Sequence, residues 1–496
     1  MNDALQDKKM SEGFALKRHA LLSGQECQEI HAGSCRLLEE VGVEVTLKEA
    51  VDYFQRGGAV YSEGRIKISR EMIEKAVQQT AKTIFLGAKN PENAIHIETD
   101  KPTVFLGTGG QALYVLHYED GGYRKKPAES RDLIAILRLC EHLDNVDFIT
   151  RPVEPDVPDE EMDLTKTRIF MANTTKHMNL ANLIFAERLP EIIQTVQDKS
   201  QISFISCVLV SPLRLAGSTL EKFIRIVEMD IPVSISSCPQ AGLTAPLSEV
   251  GELIQVNAEV LSAVVLANLV RPGAKVLYRG IPITSNLHLD VSPRWCQPDA
   301  IRRIALVSDM THYYGIPCCG TAAVSDEKEP NPQTVAEKTL SYAVEMASGA
   351  QFINSALGML EQVMTVCPEQ YIIDDLVIKR IKKLFSESPQ YDLKVLACSA
   401  VKETLKGFGI QMSSQMEDDI SNRMDFILSG MEDYSPENMT ANVDLIAQAI
   451  ESGKSSSKFM KTSRRGLRKG WLFCGQSFEG QLDLTEVHHL KNEILE

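Results

Sequence analysis

Between residues 129 and 385, short β-rich apolar runs alternate with stretches of helical periodicity. The clearest helix opens at Ser218-Thr-Leu-Glu221, which fits the Ser-x-x-Glu pattern of a capping box. It continues with Leu220, Phe223, Ile224 and Val227 on one apolar face. A further helix is predicted over 248–270, ended by an Arg-Pro-Gly sequence. The same alternation predicts seven strands, at 146–151, 178–183, 203–209, 231–236, 275–280, 316–320 and 352–356.

Seven strands, each followed by a helix, with an eighth strand expected near 365–373, favour a closed parallel barrel. The alternative is an open doubly wound sheet, which usually carries a glycine-rich phosphate loop after its first strand. No GxGxxG or GxxxxGK[ST] pattern occurs, and the nearest stretch, 107–112, runs into a strand. We therefore predict the α/β class, as a (β/α)₈ TIM barrel with an N-terminal α+β extension and a C-terminal helical region.

Three regions follow from this pattern. Residues 1–125 are predicted to be a mixed α/β extension, with a helix over 23–41 and short strands within 83–97 and 103–118. Residues 126–385 are predicted to form the barrel, and 386–496 a helical region that contains a basic stretch at 461–469.

Composition and charge narrow the function class. The chain has 496 residues and a net charge of −15, which argues against nucleic acid as a partner. Its 11 cysteines contain no CxxC pair, which is typical of a reduced, cytosolic protein. The longest apolar stretch, 260–270, is too short to cross a membrane, and residues 1–18 lack the apolar core of a signal peptide. We therefore expect a cytoplasmic protein without a membrane partner.

In a (β/α)₈ barrel the active site is built where the strands end. This rule selects Arg151 and Glu154 after the first predicted strand, and Tyr278 with Arg279 after the fifth. The long loop after the fifth strand adds His288, Asp290, Arg294 and Trp295. No zinc-binding pattern is present, so no metal site is predicted. Arginines beside aromatic rings suit a small zwitterion, because Arg binds carboxylates and aromatic faces hold quaternary ammonium groups.

Four segments resemble the trimethylamine methyltransferase family, specifically its non-pyrrolysine, glycine betaine methyltransferase-like branch. They are 257–278, 290–317, 325–337 and 347–374, and they occur in the family's order. The resemblance implies a TIM barrel that moves a methyl group from a methylated amine to the cobalt of a separate corrinoid protein. It also implies a place in anaerobic methylamine metabolism, and we expect a homo-oligomer.

The resemblance also bears on individual residues. Asp326, Lys328, Gln333 and Glu361 match family motifs and are predicted to line the pocket or order its loops. Ser355 and Met359 stand where the family often has His and Trp, which implies a remodelled pocket. Corrinoid-binding domains carry DxHxxG, and the nearest pattern here, Asp309 with His312, has one residue too many between them. We therefore expect cobalamin to be presented by the partner and not held tightly by this chain.

The substrate follows from the loop after the sixth predicted strand, which holds Lys328 and no pyrrolysine. A neutral tertiary amine needs activation before it can leave, whereas a quaternary amine leaves as a neutral tertiary amine. We therefore predict a betaine-type quaternary amine, with Arg279 and Arg294 binding its carboxylate and Tyr278 and Trp295 facing its methylammonium group. Two alternatives are a Schiff-base lyase or aldolase that uses a buried Lys328 and a betaine-binding protein without catalysis.

Overall fold

The structure is a computed structural model, and it describes residues 13–101, 103–119, 121–215, 217–286 and 292–386. His288, Asp290, the predicted C-terminal helical region from 387 onward and its basic stretch lie outside the described residues. The chain divides into two compact units, Met1–His117 with Lys125–Leu384, and Tyr118–Arg124 with Phe385–Glu496. The following description concerns the first unit, together with residues 118–119, 122–124 and 385 of the second, which lie in the same strands and helix.

The fold is mixed α/β. The helices are α1 Gly24–Glu40, α2 Lys48–Arg56, α3 Arg70–Gln79, α4 Ser130–Glu141, α5 Asp159–Asn173, α6 Leu189–Val196, α7 Gly217–Glu228, α8 Glu249–Val270, α9 Pro298–Tyr314, α10 Pro332–Ser348 and α11 Pro368–Phe385. The strands are β1 Phe14–Ala15, β2 Val43–Val45, β3 Val60–Ser62, β4 Arg65–Lys67, β5 Thr83–Leu86, β6 Ile95–Glu98, β7 Thr103–Leu106, β8 Tyr114–Glu119, β9 Gly122–Pro127, β10 Phe148–Thr150, β11 His177–Asn179, β12 Ile202–Ser206, β13 Leu209–Val210, β14 Arg214–Leu215, β15 Val233–Ser237, β16 Val276–Gly280, β17 Thr284–Ser285, β18 Pro293–Arg294, β19 Cys319–Thr321, β20 Phe352–Asn354, β21 Met359–Leu360 and β22 Thr365–Val366.

The central strands are parallel. One sheet has the order β10-β11-β12-β15-β16, and every neighbouring pair in it is parallel. A second group runs β7-β20-β19, also parallel. Two parallel bridges connect the groups, one between Gly107 and Phe148 and one between Tyr278 and Cys318. The eight strands therefore end at one common edge, which is where the functional side chains are expected.

The sequence pattern identified most of these elements correctly. A strand occurs within or next to each of the seven predicted ranges. Ser23 and Ser248 are the N-caps of α1 and α8, and Ser23 forms a capping box with Glu26. In contrast, α7 begins at Gly217, so Ser218 lies in its first turn and not at the cap.

The predicted eighth strand near 365–373 was wrong. Only Thr365 and Val366 are extended, and they pair with Met359–Leu360 and with Tyr114–Val115 in a sheet separate from the central strands. A helix starts at Pro368. The remaining parallel strand is instead Thr103–Leu106, which the sequence pattern had assigned to the N-terminal extension. The hairpin β8–β9 separates this strand from α4, so the alternation of strand and helix is interrupted there.

One face of the parallel strands is apolar at the start of the strands and polar near their ends. Phe105, Phe148, Leu277 and Phe352 form a buried cluster, in which the rings of Phe148 and Phe352 stack with centroids 3.6 Å apart. The hairpin β5–β6 covers this cluster with four isoleucine and leucine side chains, Ile84, Leu86, Ile95 and Ile97. Side chains alternate along a strand, so the same face next presents the residues two positions further on, and these are polar.

The helix α8 is the apolar core of the helical layer. Among the described residues it alone is long and apolar enough to cross a membrane by length and composition, and 83% of the relevant stretch is buried within the protein. The helix predicted over 248–270 matches α8, whereas the apolar stretch 260–270 alone underestimates how much of this helix is apolar. Its burial against α1, α3 and the strands accounts for its apolar character.

Candidate functional site

Arg279 is the charged residue at the centre of the polar layer. Its Nη1 donates to the hydroxyl of Ser236 at 2.9 Å and its Nε to the hydroxyl of Thr321 at 3.1 Å. The residue is 7% exposed, and no carboxylate of the described residues forms an ion pair with it. A buried charge held only by hydroxyl groups is poorly compensated. This arrangement fits an anionic ligand group, such as a carboxylate, bound at Arg279.

Other polar groups share this face. Thr150 donates to the side-chain oxygen of Asn354, whose Nδ2 contacts the sulfur of Cys319 at 3.0 Å. Asn179 is in register with Thr150, and its amide Nδ2 has no hydrogen-bond partner in the part of the chain that is described. A buried donor without a partner is costly, so it is a further candidate for ligand binding.

Tyr278 lies on the opposite face of β16 from Arg279. Its hydroxyl donates to Oδ1 of Asn257 in α8 at 2.6 Å. The Nδ2 of Asn257 in turn donates to Tyr314 at 2.8 Å and to Ser34 at 2.9 Å. Successive side chains of a strand point to opposite faces, so the ring of Tyr278 cannot line the site that contains the Arg279 guanidinium. The structure thus corrects the predicted role of Tyr278, which joins the strands to the helical layer.

Trp295 is held beside the ends of β16 and β19 by Asp326. The Asp326 carboxylate accepts the backbone N–H groups of Trp295 at 2.9 Å and Cys296 at 3.3 Å. The indole packs on Ile281, Ile283 and Ile304, and its buried Nε1 donates to no group among the described residues. Trp295 therefore combines an apolar face with an available donor.

The loop that carries Asp326 is fixed by Glu337 of α10. The Glu337 carboxylate accepts the Ser325 hydroxyl at 2.7 Å, the Asp326 N–H at 3.1 Å and the Gln333 amide at 3.0 Å. Burial raises the pKa of Asp326 to about 6, against the opposing effect of its backbone hydrogen bonds and the charge of Arg294. The structure thus connects four predicted residues, Arg294, Trp295, Asp326 and Gln333, through a single network.

Two further predicted residues, Lys328 and Glu361, form no hydrogen bond or ion pair with Arg279 in the described part of the chain. Lys328 is exposed, which does not fit the buried lysine that a Schiff-base mechanism needs. Glu361 accepts bonds from Lys125 and from Thr365, both at 2.5 Å. Although burial opposes it, these bonds hold the pKa of Glu361 below its usual value. The charge of Lys328 also lowers the pKa of Glu361.

Ser355 directly follows β20, and its backbone has a conformation that non-glycine residues rarely adopt. Its φ of +59° is left-handed, and its N–H donates to the carbonyl of Thr108 at 3.2 Å. Ala181 and Ala323 have φ values of +56° and +57° just beyond β11 and β19. Non-glycine residues in this region are strained, and such strain is concentrated at functional sites. Nothing in the residue types could have revealed this feature in the sequence.

A buried charged cluster lies where β10 ends. Arg151 is fully buried, and its Nη2 donates to Gln111 and to Glu154, both at 2.6 Å. Lys166 of α5 is also fully buried, pairs with Asp163 at 2.7 Å and donates to the carbonyl of Asn182. Burial lowers the pKa of Lys166 to about 8, and the charge of Arg151 adds to this effect. The strand-end rule identified Arg151 and Glu154, whereas Lys166 lies within a helix and carried no signal.

Asp309 and His312 have structural roles. The Asp309 carboxylate accepts the N–H groups of Leu21 and Leu22 at 2.8 Å and pairs with Arg18. His312 is bonded through Nε2 to the carbonyl of Gly349 at 3.0 Å. Because these groups are already engaged, the pair does not fit cobalt ligation.

Protonation of Asp326 is expected to loosen the Trp295 segment. Below pH 6 the neutral carboxyl group accepts the two N–H bonds more weakly than the anion does. We expect the fluorescence of Trp295 to change with a midpoint near pH 6, measured in a Trp471→Phe background so that Trp295 is the sole tryptophan. Asp326→Asn should abolish the transition. A transition that persists unchanged in this variant would contradict the assignment.

Parallel strands that carry a buried arginine near their ends, with hydroxyl partners only, are typical of enzymes that bind small charged molecules. The family model for trimethylamine methyltransferase (MTTB) matches residues 6–415, and the chain belongs to that family. It is therefore a methyltransferase that acts on methylated amines, and the family resemblance noted in the sequence is confirmed.

Comparisons of sequence and of structure show how similar this chain is to known proteins. The chain is 28% identical over 422 residues to the trimethylamine methyltransferase MttB of Methanosarcina barkeri, covering 82% of this chain and 84% of the relative. It is 26% identical over 371 residues to the glycine betaine methyltransferase of Desulfitobacterium hafniense, covering 73% and 77%. Among solved structures, the dihydropteroate synthase of Xanthomonas albilineans aligns with a TM-score of 0.37 and 14% identity, covering 61% of this chain and 99% of that chain.

Proposed function

We propose that this chain transfers a methyl group from a betaine-type quaternary amine to the Co(I) of a corrinoid on a separate protein, releasing the tertiary amine. The observation that carries the proposal is Arg279, a buried guanidinium at the strand ends with hydroxyl partners and no ion pair among the described residues. A betaine brings the carboxylate that this guanidinium lacks.

The site is proposed to lie inside a (β/α)₈ barrel. The parallel pairings of the eight central strands, together with the Gly107–Phe148 and Tyr278–Cys318 bridges, support this architecture. The apolar cluster under β5–β6 then closes one end, and the polar layer around Arg279 faces the other. An acceptor approaching from solvent would reach the substrate from that open end.

The chemistry favours a quaternary amine. When the methyl group is displaced, a quaternary nitrogen leaves as a neutral tertiary amine, so no general acid is needed. The protein must bind the carboxylate, direct one methyl group outward and exclude water. It should not stabilise the cation strongly, because the positive charge disappears during the reaction. Arg279 satisfies this requirement, since it binds the end of the substrate that does not react.

Trp295 is proposed as the apolar side of the site. Its indole is fixed by Asp326 and the isoleucines beneath it, so little side-chain freedom is lost on binding. Arg294, whose charge acts on Asp326, is proposed to support this segment. Glycine betaine, proline betaine and carnitine remain the candidate substrates, and the similarity to a glycine betaine methyltransferase supports this class.

The alternatives receive less support. The lyase hypothesis depended on a buried Lys328, which is exposed. The family membership argues against a binding protein without catalysis. The corrinoid partner, the cytoplasmic location and the homo-oligomeric state remain predictions.

Replacing Arg279 by Gln is expected to raise the KM for a carboxylate-bearing betaine. Loss of a charge-assisted hydrogen bond costs about 1.5–3 kcal/mol, which corresponds to roughly a 10- to 150-fold change. The measurement is the steady-state kinetics of methyl transfer to cob(I)alamin. Arg302→Gln is the matched control, because Arg302 is half exposed and pairs with Glu249 on the surface. Unchanged kinetics in a folded Arg279→Gln variant would remove Arg279 from the site.

A further inference from the structure

Two cysteines differ from the rest in their environment. Of the nine cysteines that the structure describes, seven are buried, and Cys207 and Cys238 are exposed. They directly follow β12 and β15, which are neighbouring parallel strands. Both thiols therefore lie at the edge where the candidate site is found.

Cys238 shares a face with Arg279. Strand pairing continues past β15, because the N–H of Ile281 donates to the carbonyl of Ser237 at 2.8 Å and that of Ile283 to Pro239 at 3.1 Å. Cys238 is two residues beyond Ser236, the partner of Arg279, and so points to the same side. At about 3.3 Å per residue, its Cα lies roughly 6.6 Å further toward the strand ends.

Cys207 shares this face, because it follows Ile205 by two residues, Ile205 is in register with Ser234, and Cys238 follows Ser234 by four. Cys238 is exposed to solvent, and yet the surrounding protein desolvates it enough to raise its pKa to about 12. The charge of Arg279 lowers this pKa and that of Cys207 raises it, so all three groups are close to one another.

We propose that Cys207 and Cys238 form the wall on which the methylated nitrogen of the substrate rests, with its carboxylate below at Arg279 and one methyl group directed outward. The inference rests on the proposed function and assigns residues to the cationic end of the substrate. A neutral thiol is small, polarisable and weakly polar, so it contacts methyl groups well. It also avoids the strong stabilisation of the cation that a carboxylate would give, which would oppose the reaction.

The direct test is protection of the thiols by substrate. Binding of glycine betaine, proline betaine and carnitine is first measured by calorimetry, and the wild-type chain is then treated with methyl methanethiosulfonate. Mass spectrometry follows the modification of each cysteine. We expect Cys207 and Cys238 to react at least fivefold more slowly with a saturating betaine present. In Arg279→Gln, the same betaine concentration should give little protection.

The outcomes separate the two proposals. Binding of a betaine to the wild-type chain without any protection of Cys207 and Cys238 would overturn this inference and leave the proposed function intact. Failure of every betaine to bind would overturn the proposed function and the inference together.

Substitutions at Cys238 test whether the group beside the cation must be uncharged. Cys238→Asp should bind the betaine several-fold more tightly while its kcat falls roughly tenfold, since the cation is then stabilised before reaction. Cys238→Val, which adds no charge, should bind the betaine no more tightly than the wild-type chain does. Equal kinetics for the Asp and Val variants would contradict the inference, and thermal unfolding of both variants verifies that they are folded.

Discussion

Lys338→Met is expected to destabilise the folded chain by about 3–5 kcal/mol, because it leaves a buried carboxylate without its cation. The Nζ of Lys338 lies 2.7 Å from Oδ2 of Asp374, and both side chains are fully buried. Asp374 also accepts the N–H of Gly358 and the amide of Gln370, both at 2.8 Å. The pair thereby ties α10 and α11 to the segment after β20. Denaturant unfolding of the wild-type chain and of Lys338→Met measures the difference in the free energy of unfolding.

The surface pair Lys48–Asp52 is a matched control, since it has the same 2.7 Å separation but an 86% exposed lysine. Lys48→Met should leave the unfolding midpoint almost unchanged. The double variant Lys338→Met/Asp374→Leu should recover much of the loss, because the unpaired charge is then removed. A Lys338→Met protein as stable as Lys48→Met would show that the buried pair contributes nothing.

Seven of the eight strands of the parallel core could be predicted because each of them is a short, apolar run that alternates with helical periodicity. The N-caps Ser23 and Ser248 were readable for the same reason, since capping depends on nearby residues alone. The strand Thr103–Leu106 could not be placed, because its partner is Phe352–Asn354, about 250 positions away in the sequence. Pairing over such a separation leaves no local periodicity.

The residues of the candidate site could likewise be predicted only in part. The strand-end rule selected Arg279, and the structure places it among Ser236 and Thr321. The rule could not tell which of the two neighbours, Tyr278 or Arg279, points into the site. This depends on which face of the strand the helices cover. Cys238 was missed because a cysteine at a strand end has no distinguishing spacing.

Trimethylamine is expected to react at least 100-fold more slowly than the best betaine, which is the second large effect that the account predicts. The reason is the leaving group, since an unprotonated tertiary amine would have to leave as a strongly basic anion, whereas a quaternary amine leaves as a neutral tertiary amine without any prior proton transfer. A difference of two orders of magnitude needs only about 2.7 kcal/mol of barrier, far less than this change of leaving group implies. The dimethylated product should be equally inert, so each substrate molecule should lose one methyl group.

The quaternary nitrogen does not titrate, so the substrate itself should impart no pH dependence near neutrality. The decisive measurement is methylcobalamin formation from cob(I)alamin, followed spectrally with glycine betaine, proline betaine, carnitine and trimethylamine at equal concentrations. The account predicts one methyl group transferred from each betaine molecule and a rate with trimethylamine at least 100-fold lower than with the best betaine. Trimethylamine reacting as fast as the best betaine would contradict it, and would show that this chain activates a tertiary amine.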